Sequence, residues 1–275
     1  MSAMFPYLRL AVAACTIFTL AVPAAAEDAS RWDGDARSAI RLIAGPRSGG
    51  IVRAGVELRL KPGWHTYWRY PGDAGVPPRF DFQGSQNIKS VDVRWPAPKR
   101  LPEAGMTAIG YDRDVILPLV IVPQDPGKPV GLRLKLDYAV CEKLCVPADG
   151  KAELVLDGGP SEPLVTVDAR VPKKVKLGEG ASFSIRSVKR DGGGPPRIIV
   201  DVAAPDGVTV DLFAEGPTPE WALPVPTETG GAASGLRRFS FALDGAPPGA
   251  QYQGAAVTLT AVAGSEAIEV TTRLD

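Results

Sequence analysis

The chain has 275 residues and carries 31 basic and 31 acidic side chains, so it has no basic footprint for nucleic acid. A single histidine, His65, removes most histidine-based metal or triad chemistry, and three cysteines leave little room for a structural zinc site, which wants four ligands. With 30 glycines and 27 prolines spread between apolar runs, the composition reads as many turns rather than as disorder.

The first 26 residues read as a secretory signal peptide: Arg9, an apolar run from Leu10 to Val22, then Ala24-Ala25-Ala26 where a signal peptidase cuts. "VAAC", ending at Cys15, could pass for a lipoprotein box. The apolar run continues past it, and cleavage after Ala26 discards Cys15. No later stretch approaches the ~20 apolar residues that cross a bilayer. The expectation is an exported protein of the periplasm.

From there short alternating segments dominate: "SAIRLIAG", "IVRAGVELRL", "RFDFQG", "SVDVRW", "DVILPLVIV", "GLRLKLDYA" and "KAELVLDG". Apolar residues at every second position, separated by turn chemistry such as "YPGDAG" and "QDPGKP", predict half-buried antiparallel strands. The pattern breaks at "DGGPSEPL" and "VPKKVKLGEG", with one helical candidate at Leu164–Val171. It resumes in "SFSIRSV", "RIIVDVAA", "VTVDLFAE", "RRFSFALDG", "AAVTLTAVAG" and "AIEVTTRL". The predicted class is all-β, as two tandem immunoglobulin-like β-sandwiches. The expected divisions are 1–26 signal peptide, 27–157 first sandwich, 158–180 linker and 181–275 second sandwich. The second sandwich carries no cysteine or histidine and is expected to serve as a spacer or docking surface.

The chemistry concentrates in "YAVCEKLCVPADG". In an extended strand Cys141 and Cys145 would stand about 13 Å apart at ~3.3 Å per residue. A disulfide needs Cα atoms within about 7 Å, so Glu142-Lys143-Leu144 must turn if the sulfurs are to bond. A purely structural bridge gains little here. Closing a loop of about five residues stabilises by roughly 2 kcal/mol, against nearly 5 for about a hundred. A local pair suits exchange better, because the second thiolate resolves the mixed disulfide formed by the first. A soft-metal reading stays open beside it, with Cys141, Cys145 and His65 holding Cu(I).

Three separated stretches, "LKPGWHTYWRYPGDAGVPPRFDF", "AIGYDRDVILPLVI" and "LDYAVCEKLCVPADGKAELVL", together resemble the N-terminal periplasmic domain of the DsbD/ScsB thiol:disulfide interchange family over roughly Arg37 to Leu156. The tandem second domain is more similar to the ScsB branch. The resemblance implies an immunoglobulin-like domain whose cysteines, here Cys141 and Cys145, take electrons from a membrane-embedded reductase and pass them to oxidised periplasmic proteins, with no small-molecule cofactor. It also implies a cap loop over the pair at Pro102–Tyr111, with Met106 or Ile109 as shielding side chains and Tyr67 beside the thiols. Family proteins continue into a membrane domain and a thioredoxin-like domain. This chain stops at Asp275, so the expected electron donor is a separate chain and the expected clients are thioredoxin-like or disulfide-bearing proteins. The three-residue spacing departs from the DsbD branch, so potential and partner choice do not carry over.

Overall fold

The computed structural model describes residues 28–160, 162–191, 196–231, 233 and 235–275. The expected leader and Cys15 lie outside the described residues. Among those described, the chain is mostly strand with one α-helix, and none of its helices is long and apolar enough to cross a membrane.

The N-terminal half contributes β1 (Asp33–Gly34), β2 (Ser38–Ser48), β3 (Ile51–Leu60), β4 (His65–Gly72), β5 (Arg79–Asp81), β6 (Ile88–Val93), β7 (Lys99–Glu103), β8 (Met106–Tyr111), β9 (Val115–Pro123), β10 (Val130–Cys141) and β11 (Cys145–Leu156). They form two sheets, ordered β1-β2-β3-β9-β6 and β11-β10-β4-β8-β7, with β5 also on β10. Side-chain alternation builds the core between them. On β10, Val130, Leu132, Leu134, Leu136 and Tyr138 point inward and are buried, whereas Arg133, Lys135 and Asp137 are exposed. That alternation ends at "YAVC", where Ala139 and Cys141 are buried as well. The outer face of the sheet is covered there by Tyr67, Leu101 and Ala108.

The C-terminal half follows α1 (Glu162–Asp168) with β12 (Lys173–Lys174), β13 (Ser184–Asp191), β14 (Arg197–Ala203), β15 (Val210–Glu215), β16 (Thr227–Thr229), β17 (Leu236–Ala242), β18 (Ala256–Ala263) and β19 (Glu266–Arg273). These make sheets of order β12-β19-β18-β15 and β13-β14-β17-β16 around a second apolar core. The segment between the halves is shared out. Leu164 and Val167 of α1 pack on Ile43 of β2, at a place where a Cβ on Gly45 would stand 2.3 Å from Leu164. β12 instead pairs in parallel with β19.

The halves meet through a built contact. Phe213 and Val225 of the second half belong to the core cluster of the first, and the Phe213 ring lies 6.0 Å from that of Trp68 on β4. The Arg69 guanidinium donates to Glu215 Oε1 at 2.8 Å, Glu215 Oε2 at 2.7 Å and Glu269 Oε2 at 2.6 Å. Tyr70 donates its hydroxyl to the Leu223 carbonyl. Arg100 of β7 donates to Asp211 Oδ1 at 2.8 Å and to the carbonyls of Leu212 and Pro226 at 3.0 and 2.7 Å. The second half therefore seats on β4 and β7.

Candidate functional site

β10 and β11 form one long antiparallel hairpin, and its register places Cys141 directly across from Cys145. The turn Glu142-Lys143-Leu144 brings their Cα atoms to 4.1 Å, and the two sulfurs are joined in a disulfide. The pair is asymmetric: Cys141 is buried at 2% exposure, whereas Cys145 is exposed. Leu144, at the tip between them, is 74% exposed.

Strand pairing supplies the surroundings. β10 lies between β11 and β4, with Cys141 opposite His65. Residues two apart on a strand share a face, so Tyr67 follows His65 on the face that Cys141 occupies. The Tyr67 hydroxyl is 3.0 Å from Cys141 Sγ and 3.1 Å from Cys145 Sγ. It also stands 3.0 Å from each oxygen of Glu103. Glu103, the last residue of β7, brings Oε1 to 2.9 Å from Cys145 Sγ and 3.5 Å from Cys141 Sγ. Its Oε2 is 3.1 Å from His65 Nε2, and the two side chains are only 15% and 12% exposed. Burial, reinforced by the hydrogen bond to Glu103, pushes the Tyr67 phenol well above its ordinary pKa. Tyr67 therefore stays protonated and acts as a donor across the working pH range.

Two covers close over this cluster. The loop after β4 lies on the Tyr67 ring so closely that a Cβ on Gly75 would fall 2.3 Å from it, and Gly75 has φ 107°. The second cover is Pro102–Tyr111, expected as a loop, which is a β-hairpin. Ala104 and Gly105 both take positive φ, 47° and 84°, and make a tight turn that sets Glu103 across from Met106. Alternation then decides which residues face the sulfurs. Leu101 and Ala108 pack with Tyr67 and Cys141. Ile109 points the other way and is wholly buried in the core of the first half, and Met106 is half exposed at the hairpin tip.

Sequence reasoning singled out His65, Tyr67, Cys141 and Cys145, and the fold gathers all four. It missed Glu103, which sits in "LPEAGM" without a motif. The available signal was the turn: a two-residue Ala-Gly turn pairs Glu103 with Met106 and aligns it with Leu101. Single ligand atoms of His65, Glu103 and Cys141 lie within 4.8 Å of one another, a spacing compatible with a metal ion. With Cys141 oxidised there is no thiolate for a soft ion, and His65 and Glu103 already bond to each other. A Cu(I) reading requires the reduced pair.

Residues 36–157, which hold all five residues of this cluster, match the family described as thiol:disulfide interchange protein DsbD, N-terminal. No curated protein sequence matches the chain. Among solved structures, the crystal structure of the N-terminal periplasmic domain of ScsB from Proteus mirabilis superposes with a TM-score of 0.70 at 21% identity, over 90% of this chain and 98% of that one. The cysteine hairpin thus lies in the stretch that matches the DsbD N-terminal family, within a chain that shares the fold of the ScsB N-terminal periplasmic domain.

Proposed function

We propose that this is an exported thiol:disulfide exchange protein of the periplasm. It relays electrons from a membrane-embedded thiol reductase to oxidised periplasmic proteins through Cys141 and Cys145. The two halves are read as immunoglobulin-like sandwiches, the first catalytic and the second a support. One observation carries the reading: the five-residue disulfide loop at the tip of the β10–β11 hairpin holds one exposed and one buried sulfur against a tyrosine, a glutamate and a histidine. A bridge that only braced the fold would gain little from so short a loop and would have no use for proton-exchanging neighbours. The exposed sulfur is the one a partner can reach, so Cys145 forms the mixed disulfide and Cys141 resolves it.

Trapping tests this directly. In the Cys141→Ala variant, Cys145 should accumulate mixed disulfides with periplasmic proteins that dithiothreitol releases. The Cys145→Ala variant, left with a buried thiol, should accumulate far fewer. Absence of any adduct on Cys141→Ala would sink the relay, and equal trapping by both variants would sink the assignment of roles.

A further inference from the structure

Among the described residues, Glu103 is the carboxylate that touches both sulfurs, at 2.9 Å from Cys145 and 3.5 Å from Cys141. Neither sulfur of a disulfide carries a proton, so in the oxidised protein this carboxylate takes its hydrogen bonds from Tyr67 and His65. Reduction adds a proton to each sulfur and turns both into donors with Glu103 in reach. The bond that forms is thiol to carboxylate, and it favours the protonated thiol. Loss of the Cys145 proton would leave a thiolate and a carboxylate about 3 Å apart. Groups so placed share one proton instead of both ionising.

The remaining groups do not cancel this. Tyr67 is a neutral phenol with one proton for four acceptors. His65 meets Glu103 through the far oxygen, Oε2. In the turn between the cysteines, Glu142 and Lys143 are exposed and opposite in charge. Lys99, on the same strand as Glu103, is paired with Asp112.

We propose that Glu103 is a specificity-determining residue of the exchange reaction: it holds Cys145 as a thiol in the reduced protein and so suppresses attack on unselected disulfides. This rests on the exchange reading above. In the reaction, the Cys145 proton is lost to solvent, and the Tyr67 hydroxyl turns from the carboxylate to the new thiolate. That thiolate attacks one sulfur of a partner protein's disulfide, forming the Cys145–partner bond as the partner bond breaks. The departing partner thiolate takes up a proton from solvent, and Glu103 stays a carboxylate throughout. Cys141 then gives up its proton to solvent and attacks Cys145. The intramolecular disulfide closes, and the second partner sulfur leaves as a thiolate and is protonated. Two electrons and two protons have moved to the partner.

The test is the rate at which the reduced full-length protein reacts with 5,5′-dithiobis(2-nitrobenzoate), followed against pH for wild type, Glu103→Gln and Glu103→Asp. Removing the charge should move the profile of Glu103→Gln to lower pH. A tenfold larger thiolate population, partly offset by a weaker nucleophile with a Brønsted slope of about 0.5, gives roughly threefold faster reaction at neutral pH. Glu103→Asp keeps the charge and should stay close to wild type. An unchanged Glu103→Gln profile would overturn the proposal. So would a slower one, which is the mark of a plain proton acceptor. Circular dichroism reports whether Glu103→Gln is folded. If it is not, thiolate absorbance of the reduced wild type decides: Cys145 should ionise well above the ordinary thiol value of about 8.5, and ionisation at or below it refutes the guard. Trapping by Cys141→Ala separates the two failures. If adducts form while Glu103→Gln behaves as wild type, only the guard falls; if none forms, the exchange reading falls with it.

Discussion

The two halves of the molecule are built alike, from paired sheets around an apolar core, yet they divide the work unequally. Every cysteine and the single histidine lie at or before Cys145, and the second half contributes none. What it contributes is backing. Its Phe213 and Val225 complete the first core, and its acidic residues hold Arg69 and Arg100 on β4 and β7, the strands that carry His65, Tyr67 and Glu103. Alternation makes this economical on β7: Leu101 and Glu103 face the sulfurs, while Arg100 between them faces the second half. Chemistry and support thus share a strand without sharing a side chain.

The sharpest way to break that comparison is Phe213→Ala. Phe213 is fully buried, and truncating a buried phenylalanine costs about 3–5 kcal/mol. The loss should appear in the unfolding of both halves together, followed by near-ultraviolet dichroism of Trp68 as well as by far-ultraviolet signal. A loss below about 1 kcal/mol, or one confined to the second half, would mean the halves stand independently. Next in size is Arg69→Ala, which strands Glu215 and leaves Glu269 with Lys174 alone, at 3.9 Å, where the two carboxylates are only 19% and 10% exposed. Removing one partner of a buried pair costs up to about 3–5 kcal/mol, and the partial exposure of Arg69 places this one nearer 2–3. Urea melts would show it, and a neutral result would make the ion pairs ornamental.

Acid should separate the halves in another way. In the second half, Asp201 accepts from Arg238 at 2.7 and 2.9 Å and from Ser187 at 3.1 Å, and the Arg238 bonds hold its carboxyl below the usual range. A depressed folded pKa stabilises above the unfolded value of about 3.9, and that stability is lost as pH falls through the folded one. Wild type should therefore exceed Asp201→Asn in stability most at neutral pH, and the gap should close below about pH 4. A gap independent of pH would exclude the ion pair as its source. The smallest effect concerns the hairpin that presents Glu103. Ala104 sits at φ 47°, a region that asparagine tolerates better than alanine. Ala104→Asn should raise stability by about 0.5 kcal/mol in denaturant melts, and a loss would place some unrecognised contact at that turn.

How far the sequence anticipated this arrangement depended on which strands alternate. β10 and β11 show a period of two along most of their length and β3 and β9 nearly so, while β2, buried on both faces, was legible as an apolar run; the need for a turn between the cysteines was legible too. The helix at Glu162–Asp168 falls within three residues of its expected place. β4 escaped, because "HTYWRYPG" is packed on both sides, against the sulfurs and against Phe213, and so shows no period. β7 escaped because "KRLPE" is short, charged and contains proline, which ordinarily argues against a strand. With β7 and β8 unread, the hairpin passed for a loop, Met106 or Ile109 was set over the sulfurs where Leu101 and Ala108 pack, and Glu103 was overlooked. The contact between the halves was hidden for a different reason. Arg69 and Glu269 are 200 residues apart, and nothing local in either segment points to the other.

The central claim is that Cys141 and Cys145 exchange electrons rather than brace a hairpin. The reduction potential of the pair, measured against glutathione and thioredoxin buffers, tests it most directly. An exchanging pair should equilibrate with those buffers at a potential above about −300 mV and be reduced readily by thioredoxin. A potential well below that value, with resistance to thioredoxin, would make the bridge structural and contradict the account.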